Sequence, residues 1–438
     1  MLNTIRSAWR IEDIRKRLIF TLLMVIVIRI GSQIPVPGTD PSVVAAIFAD
    51  PENGAFNIFN SFTGSSMENF SIMALSITPY ITSSIIMELL TIAIPALEEL
   101  QRNGNEGRKK IVEYTRYLTV ILALIESIAM AIGFGNQGLF TTKNAFYVIT
   151  CVITLTAGSA CLMWIGERIT EKGVGNGISI VLLVNILAGI PQDLGTIFTM
   201  ATNSRSIAAS VVICILAIAA ILAIVCFVVW LNGGVRKIPV QYSGKIQGRR
   251  SFGGQSSHIP LKVLTASVIP VIFASSLMSI PAMIGQLTGS IDYTTFGGKI
   301  VRFLSSNSWF SAAAPWYYSF GVLIYIALII VFAYFYTSIT FNPNEIADNM
   351  KKRGGSIPGI RSGKPTSIYL NSVLNKVVFL GAIGLSIVAL IPIIAGGVFN
   401  IGRISFLGTS LIIIVGVILD TLQQIGGRMV EREYDSIF

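Results

Sequence analysis

The feature that most limits what this chain can become is a series of ten apolar runs spread from one end to the other. They lie near 18–35, 70–94, 114–134, 145–166, 176–191, 206–231, 261–286, 317–341, 374–395 and 404–425. A helix needs about 20 predominantly apolar residues to cross the hydrocarbon core of a bilayer. Most of the runs reach that length, and 176–191 is the shortest. A chain that is 53% hydrophobic and only 12% charged is polytopic by composition as well. The first run leads into IGSQIPVPG with no small-residue cleavage site, so it reads as a retained helix.

Charge fixes the orientation. With the N-terminus placed inside and the runs alternating, 26 of the 32 Lys and Arg residues fall on the inner side. Five fall outside (Lys143, Arg205, Lys299, Arg302 and Arg403), and Arg29 lies within the first run. A bias of this size in short loops places both termini in the cytoplasm. The net charge of +10 then sits mostly beside an anionic leaflet, which makes anionic lipids a partner.

Several chemistries are excluded. Cys151, Cys161, Cys214 and Cys226 all fall in apolar runs and form no CxxC, so they read as packing residues. His258 is the one histidine, which leaves no case for a zinc site. There is no GxxxxGK[ST] loop, so the chain is not expected to hydrolyse ATP, and neither a cofactor nor a catalytic constellation is expected.

Ten runs divide into five and five, giving an N-terminal half at 1–191, a connecting hinge at 192–207, a C-terminal half at 208–425 and a tail at 426–438. The second run of each half carries a proline, Pro79 in ITPYI and Pro270 in IPVIF. Both read as kinks within spanning helices. Paired proline-broken spans point to a pathway between inverted repeats, although ordinary kinked helices give the same pattern. Two cytoplasmic loops, 232–262 and 342–376, are long and hold six bases each. Topology anchoring explains bases near the runs but not Arg249 and Arg250 in mid-loop, nor Arg361 in the turn GGSIPGIRSGKP. A projecting basic loop suits an acidic partner or ribosomal RNA. Glu126 lies near the middle of the third run and marks a cavity. Glu88, nearer the cytoplasmic end of the second, reads as a snorkelling side chain.

The stretches IPVPG (34–38), ITPYITSSIIMELL, NEGRKKIVEYTRY (105–117), GERITEKGVGNGISI (166–180), RKIPVQY (236–242), GGQSSHIPLKV (253–263), IPVIFASS (269–276) and FNPNEIADNMKKRGGSIPGIRSGKPT (341–366) together resemble the SecY family, central channel subunits of the bacterial protein translocase. The resemblance covers nearly the whole chain in the family's order. It implies ten transmembrane helices in two pseudo-symmetric five-helix halves, closed by a short re-entrant plug helix.

The resemblance also answers a puzzle in FNIFNSFTGSSMENF (56–70), which is too polar for lipid and too apolar for an ordinary loop. It implies a plug at about 57–67, with Asn57, Ile58, Phe59, Phe62 and Met67 filling the outer funnel. An interfacial amphipathic helix fits the same composition. A pore ring is implied at Ile77, Ile81, Ile178, Leu182, Ile272 and Ile413. The spacing agrees for the first two pairs, since i and i+4 share a helical face. A lateral gate is implied at Pro79, Thr82, Ser83, Glu126, Pro270, Ser275 and Ser276. Cytosolic contacts are implied at Arg236, Lys237, Lys245, Arg249, Arg250, Lys351, Lys352, Arg353, Arg361 and Lys364. The implied partners are SecE- and SecG-like small subunits, the SecA motor, the ribosome through protein and rRNA, signal sequences and nascent polypeptides.

The implied function is passage of unfolded secretory polypeptides across the bacterial cytoplasmic membrane and sideways release of membrane helices. The alternative is a five-plus-five secondary transporter for a small solute. That reading requires polar ligands at the broken helices, where this sequence has Ile, Ser and Thr.

Overall fold

The computed structural model describes residues 9–49, 63–135, 138–140, 144–203, 207–242, 246–247, 250–251, 256–265, 268–287, 295–304, 309, 316–399 and 409–435. In chain order the first helices are α1 (Glu12–Gly31), α2 (Pro41–Ala49), α3 (Thr78–Ala93), α4 (Pro95–Arg102), α5 (Gly104–Gly135), α6 (Ala145–Lys172), α7 (Gly177–Asn203) and α8 (Ile207–Gly233). Strands β1 (Val235–Tyr242), β2 (Ile246–Gln247), β3 (Arg250–Ser251) and β4 (Ser256–Lys262) follow. Then come α9 (Ile269–Leu287), α10 (Phe296–Leu304), α11 (Phe320–Thr340), α12 (Pro343–Lys352), β5 (Gly355–Ser356), α13 (Lys364–Phe399) and α14 (Thr409–Asp435).

Each of the ten apolar runs carries one of these helices: α1, α3, α5, α6, α7, α8, α9, α11, α13 and α14. Among the described residues five helices are long and apolar enough to span alone, or six if the bent pair α3–α4 counts as one. Their outward faces are apolar. Leu22, Leu23, Ile26, Val27 and Ile30 on α1, and Ile121, Leu124, Ile125, Ile128 and Ile132 on α5, are all exposed. A continuous apolar surface of this kind is solvated by lipid, not by water. The protein is a multi-pass membrane protein.

The chain forms two compact units. The first comprises Met1–Ile218, Met278–Gly321 and Pro392–Phe438. Here α3 packs on α5, α5 on α6, α6 on α7 and α7 on α14. Its core joins Val36, Met67, Phe70, Leu75, Ala123, Phe134 and Leu155, with Phe70 and Phe134 edge to face at 6.0 Å. Asp40 caps α2 by accepting from the Ser42 amide (3.0 Å) and hydroxyl (2.7 Å), which holds its carboxyl below the usual carboxylate range.

Two expectations change here. Pro79 does not kink the middle of a span. It lies in the first turn of α3, and the preceding residues 66–77 run as turns and a bridge, not as helix. Pro270 is likewise the second residue of α9. The reason is local. The first turn of a helix has amide groups with no intrahelical partner, so the missing proline N–H costs nothing there, and its fixed φ suits the helix. A further proline ends α3: Ile94 is extended (φ −111°, ψ 111°) and Pro95 opens α4 after a bend of 106°. Helix α7 continues through Pro191 to Asn203, so residues 192–203, read as hinge, are helical.

The second unit comprises Ala219–Leu277 and Val322–Ile391. Its strand-bearing part corrects a third expectation, because the two long basic segments are not merely loops. Residues 235–242 and 256–262 pair antiparallel, Val235 opposite Lys262 and Ile238 opposite Ile259. Gln241 and Tyr242 also pair with Ser356 and Gly355, giving a sheet of order β4-β1-β5. Ile238, Val240 and Leu261 point inward against Met350, Ile357, Leu370, Leu374 and Val378. Pro239 is tolerated in the central strand because β5 reaches only to Gln241, which leaves its far side unpaired.

Candidate channel constriction and cytosolic platform

The candidate constriction begins where α3, α6 and α7 meet in the first unit. Ile77 is fully buried at the position before α3. Ile178 is the second residue of α7. A β-carbon built on Gly166 of α6 would lie 3.6 Å from both Ile77 Cδ1 and Ile178 Cγ1, so the two side chains converge on one glycine. The approach of α6 to α7 is closer still, since a β-carbon on Gly177 would fall 1.9 Å from the Gly166 carbonyl oxygen. Only hydrogen fits between these backbones.

The start of α7 is pinned by side chains. The Gly177 amide donates to Thr170 Oγ1 (2.9 Å) and the Ile178 amide to Asn176 Oδ1 (3.1 Å). The preceding turn is held from both ends of the chain: Arg17 and Arg428 each donate to the Gly173 carbonyl (3.5 and 3.4 Å), and Val174 N–H donates to Thr21 Oγ1. Leu182 is buried one helical turn beyond Ile178, and Ile413 is buried on α14, which packs on α7. Ile81 is half-buried on α3. Ile272 is buried in α9, in the second unit.

Three of the candidate gate residues share one chemistry. Thr82 Oγ1 donates to the Thr78 carbonyl (3.1 Å) and Ser83 Oγ to the Pro79 carbonyl (2.8 Å). On α9, Ser275 Oγ lies within bonding distance of the Val271 and Ile272 carbonyls (2.9 and 3.0 Å). Each of these three hydroxyls is satisfied inside its own helix, so it presents a small surface at little polar cost. Ser276 and Glu126 are half-buried, and Pro79 and Pro270 are buried. Glu88 does not simply snorkel, because its Oε2 is buried without a hydrogen-bond partner among the described residues.

Of the plug candidates, Asn57, Ile58, Phe59 and Phe62 lie outside the described residues. Met67 is buried in the first unit's core.

Of the cytosolic candidates, Lys245 and Arg249 lie outside the described residues. Arg250 lies on β3, which pairs with β2. Arg236 and Lys237 stand exposed on β1, and Lys351, Lys352 and Arg353 are exposed at the end of α12. Arg361 is exposed in a turn with left-handed glycines at Gly359 (φ 80°) and Gly363 (φ 100°), and its carbonyl accepts from Thr366 Oγ1 at 3.0 Å. Lys364 opens α13. The described bases Arg236, Lys237, Lys351, Lys352, Arg353, Arg361 and Lys364 therefore project from a folded platform. Alternation in VRKIPVQY, with Ile238 and Val240 inward, was the signal that could have revealed its central strand. The glycine pair at 166 and 177 gave no signal that spacing alone could read.

Buried aliphatic side chains converge at helix starts in the first unit, whose outward faces are apolar, and exposed bases stand on a small sheet and helix in the second. The family model for SecY matches residues 71–422. Curated relatives named protein translocase subunit SecY align end to end. One from Halalkalibacterium halodurans is 42% identical, covering 99% of each chain, and one from Pseudomonas aeruginosa is 40% identical, covering 98% of this chain and 93% of its own. The chain belongs to the SecY family. Its members are protein-conducting channel subunits and not enzymes.

Solved structures share the fold. One described as the structure of a protein conducting channel has TM-score 0.63 at 20% identity, over 95% of this chain and 93% of that one. Sec61 in the canine ribosome–channel complex has TM-score 0.61 at 20% identity, over the same shares.

Proposed function

We propose that this protein is the pore subunit of a translocase in the bacterial cytoplasmic membrane, with both termini cytoplasmic. It passes unfolded secretory polypeptides outward and releases membrane helices sideways. The observation that carries this reading is the meeting of Ile77 and Ile178 on Gly166, where α3 starts after a non-helical stretch and α7 also starts. Non-helical backbone at membrane depth is tolerated where protein or a water-filled cavity surrounds it. Flexible aliphatic side chains at such a point can part around a chain and close again, and a narrow apolar aperture resists wetting. Leu182, Ile81, Ile413 and Ile272 complete the ring in this reading, and residues 57–67 stop its outer side.

The cytosolic platform takes the partners. Lys351, Lys352 and Arg353 sit at the C-terminal end of α12, where the helix dipole favours cations. Lys364 sits at the start of α13, where the dipole disfavours one. A base held against the local field supports a recruiting role. The SecA motor and the ribosome, through protein and rRNA, engage this face. SecE- and SecG-like subunits cover part of the apolar exterior, and anionic lipids meet the inner-side bases. Signal sequences enter at the seam assigned to Thr82 and Ser83 on α3 and Ser275 and Ser276 on α9, beside Glu126.

Deleting residues 58–66 tests the reading. The purified channel is expected to assemble, to leak ions in planar bilayers and to accept weakened signal sequences. Resting conductance unchanged from the intact protein would contradict it.

A further inference from the structure

Residues 63–77 take in the last part of the candidate plug and lead into α3, and they are held far more firmly than a stopper requires. Thr63, Ser66, Met67, Phe70, Ser71 and Ser76 are all buried, although this stretch is mostly turns. Its backbone groups are paired within the protein. Val36 N–H donates to the Phe70 carbonyl (3.0 Å), Ile72 N–H to the Ile34 carbonyl (2.9 Å) and Ser71 N–H to the Ser66 carbonyl (2.9 Å). Two helices press on it directly. A β-carbon on Gly158 of α6 would lie 1.8 Å from the Ile72 carbonyl oxygen, and one on Gly64 would lie 2.5 Å from the Asn185 carbonyl oxygen of α7. Among the described residues, the non-glycine positions with left-handed φ are Ser65 (63°), Phe70 (42°) and Ser76 (53°), all in this stretch. Such conformations persist where the surroundings over-determine them, and they gather at functional sites.

Asn185 stands at the centre of this arrangement. It is buried, with 2% of its surface exposed. Its Nδ2 donates to Ser76 Oγ at 2.9 Å. Its main chain is the surface against which Gly64 lies. Its Oδ1 is buried with no hydrogen-bond partner among the described residues. The residue is one turn along α7 from Leu182, and Ser76 directly precedes Ile77. One carboxamide therefore links the root of the plug to both sides of the candidate ring.

We propose that Asn185 is a positioning residue of the seal. It seats residues 63–77 as a fixed root beside Ile77 and Leu182, so that losing its bond to Ser76 loosens the closed pore. This rests on the channel reading above.

Resting open probability in planar bilayers tests it, using the purified complex with its small subunits. Ser76→Ala leaves both ends of the carboxamide unmet and is expected to raise resting open probability about tenfold, which corresponds to about 1.4 kcal/mol. In an Asn185→Leu background, where the bond is already gone, Ser76→Ala is expected to change it less than about twofold. Equal effects of Ser76→Ala in both backgrounds would assign it a merely structural role and overturn the proposal.

The fixed root has its own measurement. Pro35 and Ser71 are bridge partners, a spacing that suits a disulfide. With the native cysteines replaced, oxidised Pro35→Cys/Ser71→Cys channels are expected to export at the rate of the reduced form. Export stopped by oxidation and restored by reduction would mean that the root moves. If deletion of 58–66 leaks while Ser76→Ala does not, the role of Asn185 fails and the channel reading stands. If neither leaks, both fail.

Discussion

Two glycines that face each other should respond to the same substitution in opposite ways. Gly177→Ala puts a methyl group 1.9 Å from the Gly166 carbonyl oxygen and 2.8 Å from both the carbonyl carbon and Ile169 Cβ. Since β-carbons essentially never come within 3.0 Å of such atoms, the start of α7 must retreat by about 1 Å. No flexible side chain absorbs the move, because the nearest obstacle is backbone. Overpacking of this kind costs about 1–3 kcal/mol. Stretching the Gly177 N–H bond to Thr170 costs about 1 kcal/mol more. The retreat carries Ile178 away from Ile77, so the constriction loosens as the protein loses stability. Gly166→Ala instead puts its methyl 3.6 Å from Ile178 and Ile77, an ordinary contact. Replacing a helical glycine at a compatible site contributes about 0.4–1 kcal/mol of stability. The assay pairs the thermal midpoint of the purified complex with its resting conductance. Gly177→Ala should melt earlier and leak, whereas Gly166→Ala should melt no earlier and stay closed. A Gly177→Ala channel that melts and conducts like the parent would refute the reasoning, as would a Gly166→Ala channel that suffers more.

Arg361→Glu should abolish ATP-dependent export by the motor while the complex still assembles, because the ordered turn presents that side chain and many other bases hold the topology. Normal export by vesicles carrying Arg361→Glu would refute a specific role. In a background with the four native cysteines replaced, cysteines at Thr82 or Ser83 paired with Ser275 or Ser276 should form disulfides that stop both secretion and helix insertion, with recovery on reduction. Efficient cross-linking that leaves both activities at normal rates would remove these spans as the gate.

The membrane plan was legible because its signals are local. A spanning helix is written in one continuous run of apolar residues. The second residue after each candidate break, Pro79 or Pro270, was visible, but its meaning was not. A proline in an apolar run reads as a kink until the preceding residues are known to leave the helix. In the first unit they do so by pairing Pro35 with Ser71 and Val36 with Phe70, contacts that leave no mark on periodicity. The platform was missed for a related reason. Its central strand alternates over a few residues, but its third strand lies more than a hundred residues away, at Gly355 and Ser356. Basic composition therefore looked like loop. Asn185 was passed over inside an apolar run where one amide seems incidental, and only its contacts with Gly64 and Ser76 give it weight.

The central claim is that this chain conducts polypeptides. The direct measurement reconstitutes the purified complex in vesicles with the motor ATPase, ATP and an unfolded secretory precursor, and follows protection of the precursor from added protease. The account expects precursor of full length to become protected in an ATP-dependent way, and expects protection to be lost when the precursor carries a tightly folded domain that cannot enter an apolar aperture. Vesicles that accumulate a small solute but never protect the precursor would contradict it.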